Sequence, residues 1–302
     1  MTESERIISE GIISQDFFKS EVRDDFLVDE SRKKLWAIEL DLLLKFDMVC
    51  KKYNLRYFLM YGSLLGAVRH KGFIPWDDDL DVCMPRSDYE KLLEIGKYEF
   101  KDPYFFQTPE TDEGYYYTFA KIRNSNTSAL IPLFKYQGFN MGILLDVFPL
   151  DFCDINEAEE NYNKIQKLTR DNTTFMRMSN PNLSEADKER VKKYPGGNPM
   201  ERHRLIQSIA SKHEKDKSSD LLLSVSVVTI YKYDRQIFRQ EDFADHVLWP
   251  FEQFEFPIPI GYDRVLRTIY GDYSKFPPLE ERGKFHSDYV FDTDRSYREY
   301  LE

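Results

Sequence analysis

Apolar residues between positions 30 and 53 recur at steps of three and four, which is the spacing of one face of an α-helix. The positions are Leu35, Ile38, Leu42, Phe46 and Val49. The pattern stops at Asn54. We therefore predict a helix over residues 30–53, and the chain then changes to short, continuous apolar runs.

These runs predict a mixed module of strands and helices. Predicted strands cover residues 57–61, 80–84, 104–107, 115–122 and 142–148. Predicted helices cover residues 64–70 and 88–98, and the second of them is preceded by a capping-box pattern, Ser87 to Glu90. The order of elements indicates an α+β fold with a small mixed sheet flanked by helices.

Beyond residue 154 the pattern becomes charged and mainly helical. Predicted helices cover 157–178, 184–193, 200–217 and 262–270, with one short strand at 251–256. The breaks between them are the Pro-Gly-Gly-Asn-Pro stretch at 195–199 and Gly271. We predict three parts: a variable, partly ordered lead-in at 1–28, a core at 29–154, and a mainly helical region at 155–302 packed on that core.

Composition narrows the classes of protein. Hydrophobic residues make up 41% of 302 residues, which is enough for a substantial core. The net charge of −11, with both signs interspersed, argues against a nucleic-acid-binding protein. Twenty Tyr, 23 Phe and three Trp indicate a core rich in aromatic rings. A smaller number of these rings are candidates for the lining of a sugar- or cation-binding cleft.

The spacing of the cysteines and the first residues of the sequence indicate the cellular compartment. Cys50, Cys83 and Cys153 are far apart, which excludes a disulfide framework and fits a reducing cytosol. The first residues lack a signal-peptide pattern. The apolar run 221–230 is about half the length that spans a bilayer. We expect a cytoplasmic protein, and peripheral contact with a membrane stays open.

The most informative stretch is an acidic cluster. Asp77, Asp78, Asp79 and Asp81 follow directly on Pro75 and Trp76. Carboxylates crowded beside apolar residues repel one another unless a positive group lies among them, and a hard divalent cation is the first candidate.

Alternation along a strand places Asp79 and Asp81 on one face, with Leu80 and Val82 on the other. A third ligand is expected from Asp146, a lone charge within the apolar strand 142–148, because an unpaired buried carboxylate is costly. Asp79, Asp81 and Asp146 are therefore the predicted catalytic and metal-binding residues, with Mg²⁺ as the expected ion and Mn²⁺ as an alternative. The competing explanation for Asp146 is an ion pair with a nearby Arg or Lys.

Other meanings of the acidic cluster can be tested on the sequence. An EF-hand requires Gly at its sixth position and Glu at its twelfth, where this chain has Val82 and Asp88, so that interpretation fails. A glycosyltransferase that uses a nucleotide-sugar also has an Asp-x-Asp metal site, and it stays as the alternative function. A non-enzymatic glycan-binding module, with a structural metal, is the third class.

The Gly62-Ser63 turn favours phosphate chemistry. A small-residue turn from a strand into a helix exposes backbone N–H groups that attract a phosphate, with Ser63 as an added donor. A Gly-Ser turn followed by an Asp-x-Asp strand is typical of a nucleotidyltransferase, with phosphate on the turn and metal on the carboxylates.

Here a resemblance becomes specific. The block from Gly62 to Arg69 together with the block from Gly72 to Asp81 resembles the signature of the LicD family, and it is similar to the related fukutin-related branch. Supporting blocks are Lys121 to Asn124, Leu145 to Asp151, Phe256 to Pro259 and Ile269 to Tyr273. The resemblance spans roughly residues 32–290.

The resemblance implies a polymerase-β-like nucleotidyltransferase core. It further implies transfer of a phospho-alcohol, most often phosphocholine from CDP-choline, to a sugar hydroxyl, with release of CMP. The acceptor would be teichoic acid, lipopolysaccharide or another lipid-linked glycan at the inner face of the membrane, bound by the region after residue 154. Two departures are a gap between Gly-Ser and the Asp pair that is longer than in simple nucleotidyltransferases, though it suits LicD, and a single histidine, His286, where the family often has a pair. The zinc-binding cysteine loop of the fukutin-related type is absent.

Substrate-binding residues follow from the matching motifs. Arg69 and Lys121 are expected to bind phosphate, with Arg123 as a weaker candidate. Trp76 is a candidate for binding the alcohol, and Asp78 for binding metal or holding Arg69. The remaining predicted substrate-binding residues are Gly62, Ser63 and His286.

Overall fold

The computed structural model describes residues 1–215, 219–224, 232–283 and 289–301. In these ranges the α-helices are α1 (Glu3–Ser9), α2 (Glu30–Tyr53), α3 (Tyr61–His70), α4 (Arg86–Glu99), α5 (Ile155–Arg177), α6 (Glu185–Lys192), α7 (Pro199–Ala210) and α8 (Tyr262–Tyr270). The strands are β1 (Glu21–Arg23), β2 (Phe26–Val28), β3 (Phe58–Leu59), β4 (Asp81–Pro85), β5 (Tyr104–Gln107), β6 (Ala120–Asn124), β7 (Ser128–Leu130), β8 (Ile143–Phe152), β9 (Leu221–Leu223), β10 (Ile237–Arg239), β11 (His246–Phe251), β12 (Phe254–Pro259) and β13 (Val290–Asp292). The predicted α+β class is confirmed.

A mixed sheet is built around β8. Its parallel neighbour is β4, which in turn pairs with β3. On the other edge of β8, β6 pairs with the first half of the strand and β9 with its last two residues, both antiparallel. β5 extends the sheet beyond β6, and β10 extends it beyond β9. The mixed sheet predicted from the strand pattern is therefore present, and β8 is its central strand.

Helix α2 has the predicted bounds and is buried on more than the predicted face. Asp29 caps its start by accepting a hydrogen bond from the Arg32 N–H, and Asn54 ends it in the left-handed conformation, with φ 53°. Trp36, which lies outside the predicted stripe, is fully buried. Burial of each large apolar side chain stabilises the fold by about 1.5–3 kcal/mol, so α2 is a principal contributor to the core.

The predicted strand at 115–122 is wrong in its first half. Only residues from Ala120 onward join the sheet. Tyr115 is fully buried in a separate cluster that includes Phe134, Phe139 and Met176. Its hydroxyl donates a hydrogen bond to the Phe119 carbonyl (2.8 Å). The rings therefore pack against a neighbouring layer, and this packing overrides their preference for a strand.

The predicted single strand at 251–256 is in fact the turn of a hairpin, β11–β12. Glu252 has a left-handed backbone, with φ 52°, at the point where the chain reverses. Its carboxylate accepts two hydrogen bonds from the Arg23 guanidinium (2.6 and 2.8 Å) and one from the Phe73 N–H (3.1 Å). Partners distant in sequence hold this turn, and a local pattern does not reveal them.

The first 28 residues pack on the core through several apolar side chains. Ile7, Ile13 and Val28 are buried in the main hydrophobic cluster. At the tip of the β1–β2 hairpin, the Asp24 carboxylate lies 2.8 Å from Nδ1 of His70. The Arg69 Nε donates to the other ring nitrogen of His70 (2.8 Å), so His70 is neutral and Nδ1 carries the proton.

The region after residue 154 also shares the core. Leu222, Phe238 and Phe243 belong to the same hydrophobic cluster as α2 and the central sheet. The helix predicted at 200–217 ends earlier, at Ala210, and continues as a 3-10 turn over Ser211–His213; its last two positions lie outside the described residues. Among the described residues, every helix is too short or too polar to cross a lipid bilayer.

Helix α4 begins at Arg86, before the capping-box start predicted at Asp88, with Pro85 at its N-cap. Arg86 explains the shift. Its guanidinium donates to both carboxylate oxygens of Asp151 on β8 (2.6 and 2.8 Å) and to Gln207 on α7 (2.9 Å). This buried fork joins α4, the end of β8 and the C-terminal region.

We predict that Asp151→Ala destabilises the protein by about 3–5 kcal/mol, because it leaves the Arg86 charge buried without its partner. Urea unfolding followed by circular dichroism measures the loss. The control is Glu99→Gln, which breaks an exposed pair with Lys52 and is expected to leave the unfolding midpoint nearly unchanged. Equal midpoints for Asp151→Ala and the wild type would contradict a stabilising role for the fork.

We also predict a pH-dependent contribution from His70. Burial, followed by the nearby Arg69 charge, lowers the pKa of His70 from 6.5 to about 4. Between about pH 6.5 and about pH 4, His70 therefore binds a proton in the unfolded chain but not in the folded chain. The free energy of unfolding falls as the pH drops through that interval. The difference in unfolding free energy between the wild type and His70→Gln should shrink over that interval. A difference that stays constant between pH 7.5 and 4.5 would rule this out.

Candidate active site

Two carboxylates predicted from the sequence stand side by side on adjacent strands. β4 and β8 are parallel, and their register pairs Asp81 with Asp146. The Asp146 N–H donates to the Leu80 carbonyl (3.0 Å), which continues the pairing one residue beyond β4. Because the residues are in register, their side chains leave the same face of the sheet. The tertiary fold thus brings together two acids that are 65 positions apart.

Asp79 belongs to the loop before β4, and not to the strand as the alternation predicted. Acidic oxygens from Asp77, Asp78 and Asp79 all lie within 4.8 Å of one another. The loop is held from α2, where Arg32 Nη1 and Trp36 Nε1 both donate to the Asp77 carbonyl (2.6 and 3.0 Å). These two hydrogen bonds anchor the acidic loop to α2 through the backbone of the loop.

Asp81 interacts electrostatically with the other acids. Burial raises the pKa of Asp81 well above its usual range, and the charges of Asp79, Asp146 and Asp77 raise it further. The Lys121 ammonium acts in the opposite direction on Asp81 and lies 2.5 Å from Oδ1 of Asp146. The ion pair considered as the competing explanation for Asp146 is thus present. A carboxylate has two oxygens, so this pair is compatible with a cation on the other one.

The donor set fits a hard divalent cation. Carboxylate oxygens are the ligands that Mg²⁺ prefers. One oxygen each from Asp77, Asp78 and Asp79 lie within 4.8 Å of one another, and Asp81 and Asp146 line the same cleft as Asp77 and Asp79. A further sign of excess negative charge is Glu39, which is buried under the loop. Burial raises the pKa of Glu39 well above its usual range, and Asp79, Asp78 and Asp77 add to that shift. The residues that would hold Mg²⁺ are Asp79, Asp81 and Asp146, with Asp77 and Asp78 beside them.

The Gly62-Ser63 turn is tied to the acids directly. Helix α3 begins at Tyr61, earlier than predicted. A Cβ on Gly62 would lie 2.6 Å from Oδ2 of Asp77, so glycine is needed for this close approach. The Ser63 hydroxyl accepts a hydrogen bond from the Asp81 N–H (2.8 Å) and is buried. Both residues therefore position the acidic strand and loop, and Gly62 also lines the neighbouring cleft.

The acids open onto a cleft of about 1010 Å³. Asp77, Asp79, Asp81 and Asp146 form its acidic part. Aromatic rings cover much of the remaining surface: Tyr61, Trp76, Tyr117, Phe119, Phe134, Phe148, Tyr194, Tyr270, Tyr273, Phe276 and Tyr289. Cations also line it: Arg69, Lys121, Arg170, Arg177, Arg190, Lys193 and Lys275. An apolar cleft with a few convergent charges is the usual form of a small-molecule site.

Arg69 lines the cleft but already has several partners. Its Nη1 donates to the carbonyls of Tyr273 and Lys275 (3.0 and 3.4 Å), and its guanidinium lies 4.7 Å from the Phe276 ring. Burial lowers the pKa of Arg69. This residue holds the loop after α8 against α3, in addition to presenting a charge to the cleft.

Trp76 is almost fully buried in a ring cluster at the edge of the cleft. Phe26, His70 and Phe276 contact it at centroid distances of 5.9–6.0 Å. The Arg282 guanidinium lies 4.4 Å from its centroid. One face of Trp76 is therefore already covered by a protein cation.

The structure corrects the position expected for Arg123. It is buried, its Nε donates to Gln107 (2.6 Å) and its Nη1 donates to the Gly142 carbonyl (2.7 Å). Lys121 and Arg123 are two residues apart on β6 and leave the same face of the sheet, but the hydrogen bonds of Arg123 hold it outside the cleft and only Lys121 lines it. His286 lies outside the described residues.

Several residues of the cleft were not singled out from the sequence. The most notable are Arg170 and Arg177 on α5, with Thr173 and Thr174 between them. These positions are three, four and seven apart, so they share one face of the helix. The sequence signal for these residues was a polar stripe on an amphipathic helix. A polar stripe that only faces solvent has the same pattern, so the sequence did not single them out.

The chain is similar in sequence to known proteins. Residues 54–177 match the family model described as the LicD/FKTN/FKRP nucleotidyltransferase domain. The lipopolysaccharide cholinephosphotransferase LicD of Haemophilus influenzae is 29% identical over 259 residues, covering 82% of this chain and 92% of that protein. Short segments are similar to uncharacterised proteins of Rickettsia prowazekii (50% over 44 residues, 15% of this chain and 16% of that protein) and Rickettsia typhi (54% over 37 residues, 12% of each).

The matched domain includes the acidic loop, β4 and Asp146, and the similarity to a LicD protein extends along most of the sequence. The family model and the LicD relative together support placing this chain in the LicD family.

Proposed function

We propose that this protein is a Mg²⁺-dependent transferase that moves a phospho-alcohol, phosphocholine above all, from a CDP-activated donor to a sugar hydroxyl of a cell-surface glycan. The observation that carries the proposal is the Asp81–Asp146 pair beside the acidic loop, in a chain similar to a cholinephosphotransferase. The core at 29–154 would act as a polymerase-β-like nucleotidyltransferase module. The region at 155–302 would contribute to acceptor binding.

Asp79 and Asp81 would hold Mg²⁺, which supplies neutralisation of the donor diphosphate and alignment of the leaving group. Gly62, in the first turn of α3, lines the same cleft, and the backbone N–H groups at the start of a helix favour a phosphate. Asp146 would accept the proton of the acceptor hydroxyl. The Lys121 ammonium lies 2.5 Å from Oδ1 of Asp146, so it contacts one oxygen of that carboxylate.

In the proposed step, the acceptor oxygen forms a bond to the phosphorus that carries the alcohol. The bond from that phosphorus to the CMP oxygen breaks, and CMP leaves with the electron pair. The acceptor proton passes to Asp146 and then to solvent. The aromatic lining of the cleft provides apolar surface for the alcohol and a barrier to water. The reaction would take place on a lipid-linked acceptor at the inner face of the membrane.

We predict that Asp81→Asn lowers CMP release from the donor by at least about 100-fold, since a lost metal ligand removes several kcal/mol of stabilisation. Calorimetric titration with Mg²⁺ alone should show weaker binding in this variant. Asp25→Asn, on the exposed turn of the β1–β2 hairpin, is the matched control and should behave as the wild type. Full activity in a folded Asp81→Asn protein would exclude the metal role.

We predict that, among CDP-choline, CDP-ribitol, CDP-glycerol and UDP-sugars, CMP is released from a CDP-alcohol and only with Mg²⁺ or Mn²⁺ present. Nucleotide release, quantified by chromatography, is the measurement. UDP release in place of CMP would instead support the Asp-x-Asp glycosyltransferase. Turnover of none of these donors, with a lipid-linked glycan supplied, would leave the glycan-binding module as the better account.

A further inference from the structure

The cleft has a second charged part, distant in sequence from the acids, which the proposed chemistry does not use. Arg170 and Arg177 on α5, Arg190 on α6 and Lys193 just after α6 all line it. We refer to these four residues as the basic wall. Asp171 lines the cleft nearby, and Asp187 contacts two of the arginines, so four cations face two carboxylates. The net charge of the wall is positive.

Arg177 is the residue of the wall with an unmet hydrogen bond. Its Nε is buried and has no hydrogen-bond partner among the described residues. Its Nη1 lies 3.4 Å from Oδ1 of Asp187, an oxygen that is also 3.2 Å from Nη1 of Arg190. One carboxylate therefore holds two guanidinium groups together, and at least one buried donor of Arg177 is left unsatisfied. Such a donor costs free energy unless a ligand pairs with it.

The charges of the wall are incompletely balanced. Burial lowers the pKa of Arg177, and the nearby Arg190 lowers it further against the opposing effect of Asp187. Arg170 and Lys193 form no ion pair with any described residue. An anion bound here would neutralise adjacent cations and accept hydrogen bonds from guanidinium forks, whose planar geometry suits phosphate and carboxylate.

A single aromatic residue connects the basic wall to the acids. The Tyr117 ring lies 5.6 Å from Lys121 Nζ, which in turn pairs with Asp146. The same tyrosine is close enough to Arg177 to influence its pKa. The wall and the Lys121–Asp146 pair therefore border the same cleft, and Tyr117 is a neighbour of both.

We propose that the basic wall binds an anionic group, a phosphate or a carboxylate, on the acceptor glycan close to the hydroxyl that is modified. The inference rests on the proposed function for the identity of the acceptor. The donor diphosphate has its own partners, the metal ligands and the start of α3, so the wall is available for the second substrate. The protein would therefore select phosphorylated or acidic acceptors over neutral ones.

The first test measures binding without any donor. The probes are a trisaccharide carrying one phosphate monoester, the same trisaccharide after phosphatase treatment, and a trisaccharide ending in a uronic acid. The wild type should bind the phosphorylated or the acidic probe at least about tenfold more tightly than the neutral one, as expected for charge-assisted hydrogen bonds. Which anionic probe binds better distinguishes phosphate from carboxylate. Equal affinity for all three probes would overturn the inference.

The variants are Arg177→Gln and, because Arg177 is partly buried, the exposed Arg170→Gln as a second choice. Both should reduce the preference for the anionic probe to about threefold or less. The matched control is Arg204→Gln, an exposed position on α7 that does not line the cleft. With an anionic acceptor and a CDP-alcohol, the two variants should raise KM for the acceptor and leave KM for the donor unchanged. A raised donor KM with an unchanged acceptor KM would assign the wall to the donor and refute the proposal.

The two proposals fail in different ways. If the wild type releases no CMP from any CDP-alcohol, the proposed function fails, and the binding preference, which needs no donor, still decides the role of the wall. If CMP is released at equal rates with charged and neutral acceptors, the transferase stands and the basic wall has no part in selection.

Discussion

The structure depends on holding several carboxylates together where water cannot fully screen them. Asp81 is buried beside Asp146, and the loop carrying Asp77, Asp78 and Asp79 adds three more acids. Like charges at such distances repel strongly in a medium of low polarity. The arrangement persists because the fold fixes the backbone at each acid, and because Lys121 offsets part of the charge. A divalent cation would remove the rest of the repulsion.

Each neighbouring element contributes one constraint to that arrangement. Helix α2 holds the loop through the Asp77 carbonyl, α3 holds β4 through the Ser63 hydroxyl, and β8 supplies Asp146 in register. Glu39 shows the electrostatic consequence, since its carboxyl is buried near the loop and its pKa is raised well above the usual range. Several signature residues between 62 and 81 therefore have a structural role, because their contacts keep the acids in place.

The charges of the cleft are segregated, and this segregation suits a reaction between two anionic substrates. The acids lie on β4, on β8 and on the loop before β4, whereas the basic wall lies on α5, on α6 and just after α6. Tyr117 and Lys121 stand between the two parts. A transferase must hold donor and acceptor at once and bring one oxygen to one phosphorus, so separate attachment points reduce the entropy lost in reaching that geometry.

Much of this protein could be predicted from local patterns. The bounds of α2 and α8 and the strand β5 follow from periodicity, which is a property of neighbouring residues, and the need of Asp146 for a partner follows from the cost of a lone buried charge. Only the tertiary structure decided the rest. It directed Lys121 into the cleft and Arg123 away from it, and made Gly62 a contact of Asp77. It also gathered the basic wall from two helices. The physical reason is that each of these placements depends on which distant segment packs against the residue. The local sequence of one segment does not specify which segment that is.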